Sequence, residues 1–355
     1  GTAKWSHKAC VDDWRRKSNK EDAAYRCGQC KDHYRDALSI ELLSARVQAK
    51  RANGENAIST LKTLASELFA QGKYDEAEAL YREVLEVLRE TLGNRHSETL
   101  SYIHNLGAVL YTKGNNAAAE PLLREAVEGK RNQTTISSLG LLLMDKGDLT
   151  AAEPLCREAL EVSRKTLGNR HPDTLKAINN LGLLLRAKGD LAAAEPLCRE
   201  AMEVSRETLG NRHPSTLIYI HNLGALLQAR ALLKSKRSAV SSVRWATRSG
   251  CKCWRDLGAA ETLYRESVEV SRETLWNRHP HTLQRISNLG IVLMDQGDLT
   301  GEAEPLLREA LEGQCATLGT RHPTTIHTIN ALWLLLEEES DGRIFLEQLV
   351  HETLG

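Results

Sequence analysis

The chain repeats one segment of about 42 residues, and this repetition restricts its fold more than any other feature. The fullest copy is residues 172–213, PDTLKAINNLGLLLRAKGDLAAAEPLCREAMEVSRETLGNRH. The leucine near the end of each copy recurs with several interruptions, at Leu92, Leu167, Leu209, Leu275, Leu318 and Leu354. A unit of this length cannot bury its apolar face alone, so the repetition predicts stacked units that share a continuous core.

Each unit is predicted to form two amphipathic helices joined by a short turn. In the fullest copy, residues 174–188 and 191–209 both carry apolar residues at helical spacing. Asp190 is the predicted N-cap of the second helix and Gly210 its C-terminal stop. Pro196 lies inside that helix, where a proline removes a backbone hydrogen bond, so we expect a local kink.

The order of small and large residues in this hairpin resembles the signature of the tetratricopeptide repeat (TPR). That order is Leu181-Gly182, Leu185, Gly189, Leu191, Ala194, Cys198 and Ala201. The 42-residue length and the Gly-Asn-Arg-His-Pro link resemble the kinesin-light-chain-like branch of the family. The resemblance covers about residues 54–337. It implies an all-α fold, an α-solenoid in which TPR-like helical hairpins form a right-handed superhelix.

Composition limits the cellular setting of the chain. Its 355 residues include 47 basic and 47 acidic side chains, so the formal net charge is zero. We expect neither a membrane-spanning helix nor a signal peptide, because no run of eighteen apolar residues occurs. The eight cysteines do not have the spacing of a disulfide framework, and Cys156 and Cys198 occupy a core position of the repeat. Buried thiols indicate a reducing compartment, so we expect a cytoplasmic protein.

Residues 1–36 lie outside the repeat and contain two pairs of potential zinc ligands. The pairs are His7 with Cys10 and Cys27 with Cys30. Closely spaced donors of these types can converge on one tetrahedral zinc ion. The segment resembles the second half of a RING-CH finger, the zinc module of a class of ubiquitin ligases. The resemblance implies zinc as a cofactor and places Trp14 on the surface that meets a ubiquitin-conjugating enzyme.

This finger is incomplete, because a RING-CH cross-brace uses eight ligands and only the last four are present. One interpretation is a truncated zinc-finger remnant, and the other is a single zinc ion whose binding is coupled to folding of the segment. Residues 37–53 are predicted to form a linker or cap helix. That helix is too short to supply the heptad array that joins a kinesin light chain to its motor.

Three features disturb the predicted array at residues 54–337. The third copy has lost nine residues, which predicts a first helix limited to about residues 134–146. A non-repeat insertion at residues 231–255 carries seven Lys or Arg and no Asp or Glu. We interpret it as a loop at the hairpin turn, with a patch for nucleic acid or another anionic surface as the alternative. Residues 338–355 are predicted to cap the array.

The first helices of the hairpins carry the candidate binding residues. In the TPR family these helices line a concave groove that binds peptides, and the resemblance implies the same use here. The candidates are Asn105, Lys176, Asn179, Asn180, His221, Asn222, Asn288 and Asn330. Asparagine offers both a donor and an acceptor, so a column of amides can bind the backbone of an extended peptide. The alternative is that the column contacts the neighbouring helix or caps backbone groups.

Other periodic polar residues are interpreted as structural. One histidine stands in each link, at His96, His171, His213, His279 and His322. A catalytic or metal site needs side chains that converge at one point, which evenly spaced residues do not do. The Arg-Glu pairs of the second helices, such as Arg199 with Glu200 and Arg206 with Glu207, predict a solvated convex face.

The sequence therefore predicts a protein-interaction scaffold that performs no chemistry itself. It contains no nucleophile–base pair, phosphate-binding glycine loop or metalloprotease motif. The expected partner is a protein or peptide ligand, and neither a membrane nor nucleic acid is expected. One alternative is a RING-CH-type ubiquitin ligase in a longer chain, whose array would recruit substrate. The other is a kinesin-light-chain-like cargo adaptor.

Overall fold

The computed structural model describes residues 37–239, 252–297 and 301–336, which form fourteen α-helices and no β-strand. The chain divides into two compact units, residues 1–159 and 160–355, and the boundary falls inside helix α7. The first unit contains α1 (Ala37–Ala52), α2 (Ile58–Ala70), α3 (Tyr74–Leu92), α4 (Ser97–Thr112), α5 (Asn116–Gly129), α6 (Gln133–Asp145) and the start of α7 (Leu149–Leu167). The second contains the end of α7 and then α8 (Pro172–Ala187), α9 (Leu191–Leu209), α10 (Pro214–Ala239), α11 (Lys252–Leu275), α12 (Pro280–Asp295), α13 (Ala303–Leu318) and α14 (Pro323–Leu336).

Helices pack in chain order within each unit. In the first unit each helix from α1 to α5 contacts the next, and in the second unit each helix from α8 to α13 does so. The first helices of successive hairpins also touch, as α4 does with α6, α8 with α10, and α12 with α14. The predicted all-α solenoid of TPR-like hairpins is therefore confirmed for the described residues, while the right-handed superhelix stays a prediction.

Each hairpin closes where a small residue of the first helix meets a larger residue of the second. A Cβ atom at Gly182 would lie 2.8 Å from Sγ of Cys198, and one at Gly140 would lie 3.2 Å from Sγ of Cys156. Glycine permits this close approach because it has no side chain. Both thiols are buried, and burial raises the pKa of each to about 11. The predicted core role of these cysteines is confirmed.

The predicted helix ends of the fullest copy agree with the structure. The Asp190 carboxylate accepts a hydrogen bond from the backbone N–H of Ala193 at 3.1 Å and so caps α9. Gly210 ends α9 with a φ of 86°, a left-handed conformation that glycine adopts without strain. Pro196 lies within α9, which continues beyond it to Leu209, and the kink there stays a prediction.

The link histidines cap the first helices, which gives them the structural role expected from their even spacing. In each link, Nδ1 of the histidine accepts a hydrogen bond from the backbone N–H two residues later. The distances are 3.2 Å at His96, 3.1 Å at His171, 3.1 Å at His213, 3.2 Å at His279 and 3.3 Å at His322. Each cap satisfies one of the backbone donors left free at a helix start.

One link contains a strained residue. Trp276 stands where the other links have glycine, and its φ of 69° lies in the left-handed region. The equivalent residues Gly168, Gly210 and Gly319 have φ between 82° and 86°. A side chain in this region destabilises the backbone, because Cβ approaches the following carbonyl oxygen.

The insertion forms more helix than the loop interpretation predicts, so that interpretation is corrected for residues 231–239 and 252–255. Helix α10 continues to Ala239 and α11 begins at Lys252. Asp256, the counterpart of the N-cap Asp190, lies inside α11 and has a different role. Its carboxylate accepts hydrogen bonds from Arg230 at 2.6 and 2.9 Å and from Lys234 at 2.8 Å, and these ion pairs join the two extended helices.

The remaining segment predictions have different outcomes. The shortened third copy begins with α6 (Gln133–Asp145), within one residue of the prediction. Helix α1 occupies the predicted linker or cap segment and buries Leu43 and Val47. Residues 1–36, which hold the potential zinc ligands and Trp14, and the predicted cap at residues 338–355 lie outside the described residues. None of the described helices has the length and apolar character needed to cross a membrane.

Candidate peptide-binding groove

Three asparagines occupy the same position on successive first helices of the second unit. Asn180 lies on α8, Asn222 on α10 and Asn288 on α12, and all three side chains are partly exposed. The residue three positions later in each helix is apolar and also partly exposed: Leu183, Ala225 and Ile291. An amide and an apolar side chain therefore lie one turn apart on each helix.

Two of these amides contact the preceding copy. Nδ2 of Asn222 donates a hydrogen bond to Oδ1 of Asn179 at 2.8 Å. Nδ2 of Asn288 lies 3.4 Å from the ring nitrogens of His221. These contacts form a ladder between the first helices. Each rung of the ladder joins the residue before the asparagine in one copy to the asparagine of the next copy. The expected alternative, contact with the neighbouring helix, is realised for Asn222 and Asn288.

The first unit has an equivalent rung. Nε2 of His104 lies 2.9 Å from Oγ of Ser138, and these residues hold the same two positions in the second and third copies. Nδ1 of His104 also lies 3.4 Å from Oδ1 of the candidate Asn105. The ladder is therefore a feature of both units, although the third copy is shortened.

The other candidates differ in their surroundings. Asn179 is only 6% exposed, so it serves as a rung and offers little surface to a ligand. Asn180 makes no side-chain hydrogen bond within the described part of the second unit. Lys176 is exposed and forms an ion pair with Asp173 at 2.9 Å, and Asn330 is exposed on α14. Their use in peptide binding stays a prediction.

His221 is held in its neutral form by its environment. Burial lowers the pKa of its imidazole to about 4, and the positive charges of Arg285, Arg186 and His281 act in the same direction. The ring packs against Tyr264 with 5.6 Å between the ring centroids. At neutral pH one ring nitrogen is therefore unprotonated and can accept a hydrogen bond from Asn288.

A second set of contacts between first helices was missed by the sequence analysis. Nε2 of Gln228 donates to Oδ2 of Asp295 at 2.6 Å, and burial raises the pKa of the Asp295 carboxyl. In the first unit the hydroxyl of Tyr111 donates to Asp145, which holds the equivalent position. Alignment of the copies shows both positions as variable, with Met144 and Met294 at the first and Ala70 and Ala187 at the second, and it does not show which residues pair.

The second helices are joined by ion pairs, where the sequence predicted only a solvated face. Arg206, for example, pairs with Glu266 of the next copy at 2.5 Å, not with its own neighbour Glu207. The other pairs between second helices are Arg89 with Glu125, Arg164 with Glu200 and Arg272 with Glu309. Arg131, in the link after α5, pairs with Glu158 of α7. These side chains are partly exposed, so each pair contributes less than about 1 kcal/mol.

Models of the tetratricopeptide repeat match most of the array. One matches residues 56–132, 133–197 and 174–234, which together span slightly more than half of the chain. A second TPR model matches residues 282–324. A search of curated proteins found no match.

Several solved structures are similar to this chain. RapI in its apo form has a TM-score of 0.58 at 12% identity, over 84% of this chain and 96% of its own. BtubC (BKLC) from P. vanneervenii has a TM-score of 0.53 at 18% identity, over 70% of this chain and 94% of its own. A candidate kinesin light chain from Podosopora anserina with nearly identical TPR-like repeats is 22% identical over 60% of this chain and 91% of its own, with a TM-score of 0.47. At these identities the similarity concerns the fold alone.

Proposed function

Because the chain belongs to the tetratricopeptide repeat family, we propose that it is a protein-interaction scaffold that binds an extended peptide or a partner helix along its first helices. The observation that carries the proposal is the repeated position of Asn180, Asn222 and Asn288 on α8, α10 and α12. Each amide is partly exposed and lies one turn from a partly exposed apolar residue. A groove of this kind offers backbone hydrogen bonds and apolar contacts together.

The amides retain hydrogen-bonding capacity for a ligand. A primary amide has two N–H donors and a carbonyl acceptor, and each rung uses one donor of Asn222 or Asn288. Packed helix axes lie about 10 Å apart, which is about three residues of extended peptide at about 3.3 Å each. An extended ligand that crosses the first helices can therefore present a backbone group to each successive amide.

Other predictions concern residues 1–36 or the cellular setting of the chain. The zinc site at His7, Cys10, Cys27 and Cys30 and the contact of Trp14 with a ubiquitin-conjugating enzyme stay predictions from the sequence. The ligase and cargo-adaptor alternatives and the cytoplasmic location also stay predictions from the sequence.

A peptide-library selection on the purified chain tests the proposal. A selected peptide is titrated calorimetrically into the wild type and into Asn180→Ala, because Asn180 takes no part in the inter-repeat rungs of its unit. Loss of one hydrogen bond is expected to weaken the Kd up to about tenfold. Arg272→Ala, on the second helix α11, is the control and should bind as the wild type does. If no peptide is selected, or Asn180→Ala binds normally, the proposed groove is wrong.

A further inference from the structure

A cleft opens between two second helices of the second unit, α11 and α13. Its volume is about 730 Å³, and none of the three groove asparagines lines it. The apolar part of the lining consists of Val268, Leu289, Pro305 and Leu306. Along α11 the cleft extends from Arg265 to Glu273, which is about 12 Å of helix at about 1.5 Å per residue. A segment of another helix that is two turns long has the same length.

The first unit has the same cleft in a smaller form. That cleft lies between α5 and α7, has a volume of about 300 Å³ and is lined by equivalent residues, among them Val127, Leu139, Pro154 and Leu155. The larger cleft accompanies a shorter helix, because α13 begins at Ala303, whereas α7 begins three residues before the equivalent Ala152. Binding pockets have volumes of about 300–1,000 Å³, so the cleft in the second unit is well within this range.

One carboxylate of the larger cleft has no counter-charge. The ion pairs that border the cleft are Arg265 with Glu302, Arg272 with Glu309 and Glu273 with Arg212. Glu269 also lines the cleft and is exposed, and no cation of the described residues pairs with it. The charged residues around the cleft are therefore matched except for one negative charge.

The same unpaired carboxylate recurs on the neighbouring second helices. Glu203 of α9 and Glu312 of α13 hold the position of Glu269 in their copies, and both are exposed without an ion pair within the described part of the chain. The arginines on these three helices already pair with carboxylates: Arg199, Arg206, Arg265, Arg272 and Arg308. The face formed by α9, α11 and α13 therefore has a negative potential that attracts a cationic partner.

A strained aromatic residue follows α11. Trp276 comes three residues after Glu273, and its side chain is 69% exposed. The equivalent residues Gly168, Gly210 and Gly319 show that the fold does not require a side chain at this position. Strained backbone of this kind clusters at ligand-binding positions, and tryptophan is a frequent anchor of protein partners.

We propose that the cleft between α11 and α13, together with Glu269 and Trp276, docks a basic amphipathic helix of a protein partner. An apolar side chain of that helix fills the cleft, and its Lys or Arg side chains pair with Glu269. A helix fits better than an extended peptide, because its backbone groups bond to each other and the polar side chains around the cleft are largely paired. The negative face repels nucleic acid and anionic membranes. This site is separate from the proposed peptide groove and does not depend on it.

A synthetic helix tests the proposal. The probe is an amphipathic peptide of leucine and lysine, about 18 residues long so that it is helical, and the control peptide has glutamate in place of lysine. Calorimetric titration should show binding of the lysine peptide and no binding of the glutamate peptide. Glu269→Lys should weaken the Kd of the lysine peptide about tenfold or more. Failure of the lysine peptide to bind, or equal binding of both peptides, would overturn the proposal.

Glu128→Lys is the matched control for charge. Glu128 holds the position of Glu269 in α5, is exposed and has no ion pair among the described residues. Its substitution changes the net charge of the chain by the same amount, but it should leave the Kd close to that of the wild type. Equal losses in the two variants would show general attraction to an acidic surface and would refute the cleft.

Two further comparisons locate the bound helix. Leu306→Ala should weaken binding severalfold because Leu306 lines the larger cleft, whereas Leu155→Ala, at the equivalent position of the first unit, should not. Asn180→Ala should bind the lysine peptide as the wild type does. A loss of binding in Asn180→Ala would place the peptide in the groove of the first helices and contradict the cleft, whatever the outcome for the groove itself.

Trp276→Gly separates binding from stability. The variant should bind the lysine peptide severalfold more weakly although its free energy of unfolding in urea is higher than that of the wild type. A tryptophan with only a structural role would show lower stability instead. Unchanged binding by Trp276→Gly would overturn the assignment of Trp276 to the docking surface.

Discussion

Lowering the pH from 7 to 4 is expected to destabilise the second unit, because the structure holds His221 neutral. Its imidazole is buried against Tyr264 and lies near the positive charges of Arg285, Arg186 and His281. These surroundings lower its pKa from 6.5 to about 4. The unfolded chain therefore binds a proton near pH 6.5, where the folded chain does not.

The size of the effect follows from this difference. Each pKa unit corresponds to about 1.4 kcal/mol, so a shift of roughly 2.5 units corresponds to about 3 kcal/mol. The stabilisation from neutral His221 is complete above pH 6.5 and is lost progressively as the pH falls towards 4. Protonation would also remove the nitrogen that accepts from Asn288.

Urea unfolding between pH 7 and 4.5 measures this loss. His221→Gln lacks the titratable group, so its stability should fall less steeply with acid than that of the wild type. His327→Gln, at an exposed histidine of α14, should follow the wild-type curve. Parallel curves for wild type and His221→Gln, or an NMR titration that places the His221 pKa near 6.5, would refute the reasoning.

Three further substitutions test the packing by urea unfolding. Trp276→Gly should stabilise the protein by up to about 1 kcal/mol, and a loss of stability contradicts this. The substitution relieves about 1–2 kcal/mol of left-handed strain, which exceeds the entropy cost of glycine, and it removes a side chain that is 69% exposed. Gly182→Val should destabilise the protein by about 1–3 kcal/mol, since its Cβ would lie 2.8 Å from Cys198 Sγ. The control Gly258→Val, whose Cβ would have no atom within 4 Å, should change the stability little. Arg206→Ala should change stability by less than about 1 kcal/mol, and a larger effect would show that the pair with Glu266 is not a weak surface contact.

Much of each hairpin could be predicted from its own copy. The cap at Asp190, the stop at Gly210 and the contact of Gly182 with Cys198 all involve residues at most 16 positions apart in one copy. Such features depend on local backbone geometry and on apolar spacing, which the repeated sequence shows directly. The family resemblance pointed to the same helices.

The candidate site was only partly predictable. Alignment of the copies identified the asparagine column, but it did not reveal that Asn222 bonds to Asn179, 43 residues earlier. The same alignment shows Arg285 as a charged residue where the other copies are neutral, yet its burial and its hydrogen bond to Ser271 become visible only when α11 and α12 are packed together. A partner in another copy depends on how the copies stack, and a single copy does not contain that information.

The insertion shows the same division between sequence and tertiary structure. By its place in the repeat Asp256 is equivalent to the N-cap Asp190, and its copy remains recognisable as a TPR-like hairpin. Only the packed structure shows α11 starting before Asp256, so that its carboxylate pairs with Arg230 and Lys234. The sequence alone thus determined the family, the hairpins and the helix caps, because these depend on contacts close along the chain. Tertiary structure decided which polar groups meet between helices, because the geometry of packing brings distant residues within hydrogen-bond distance.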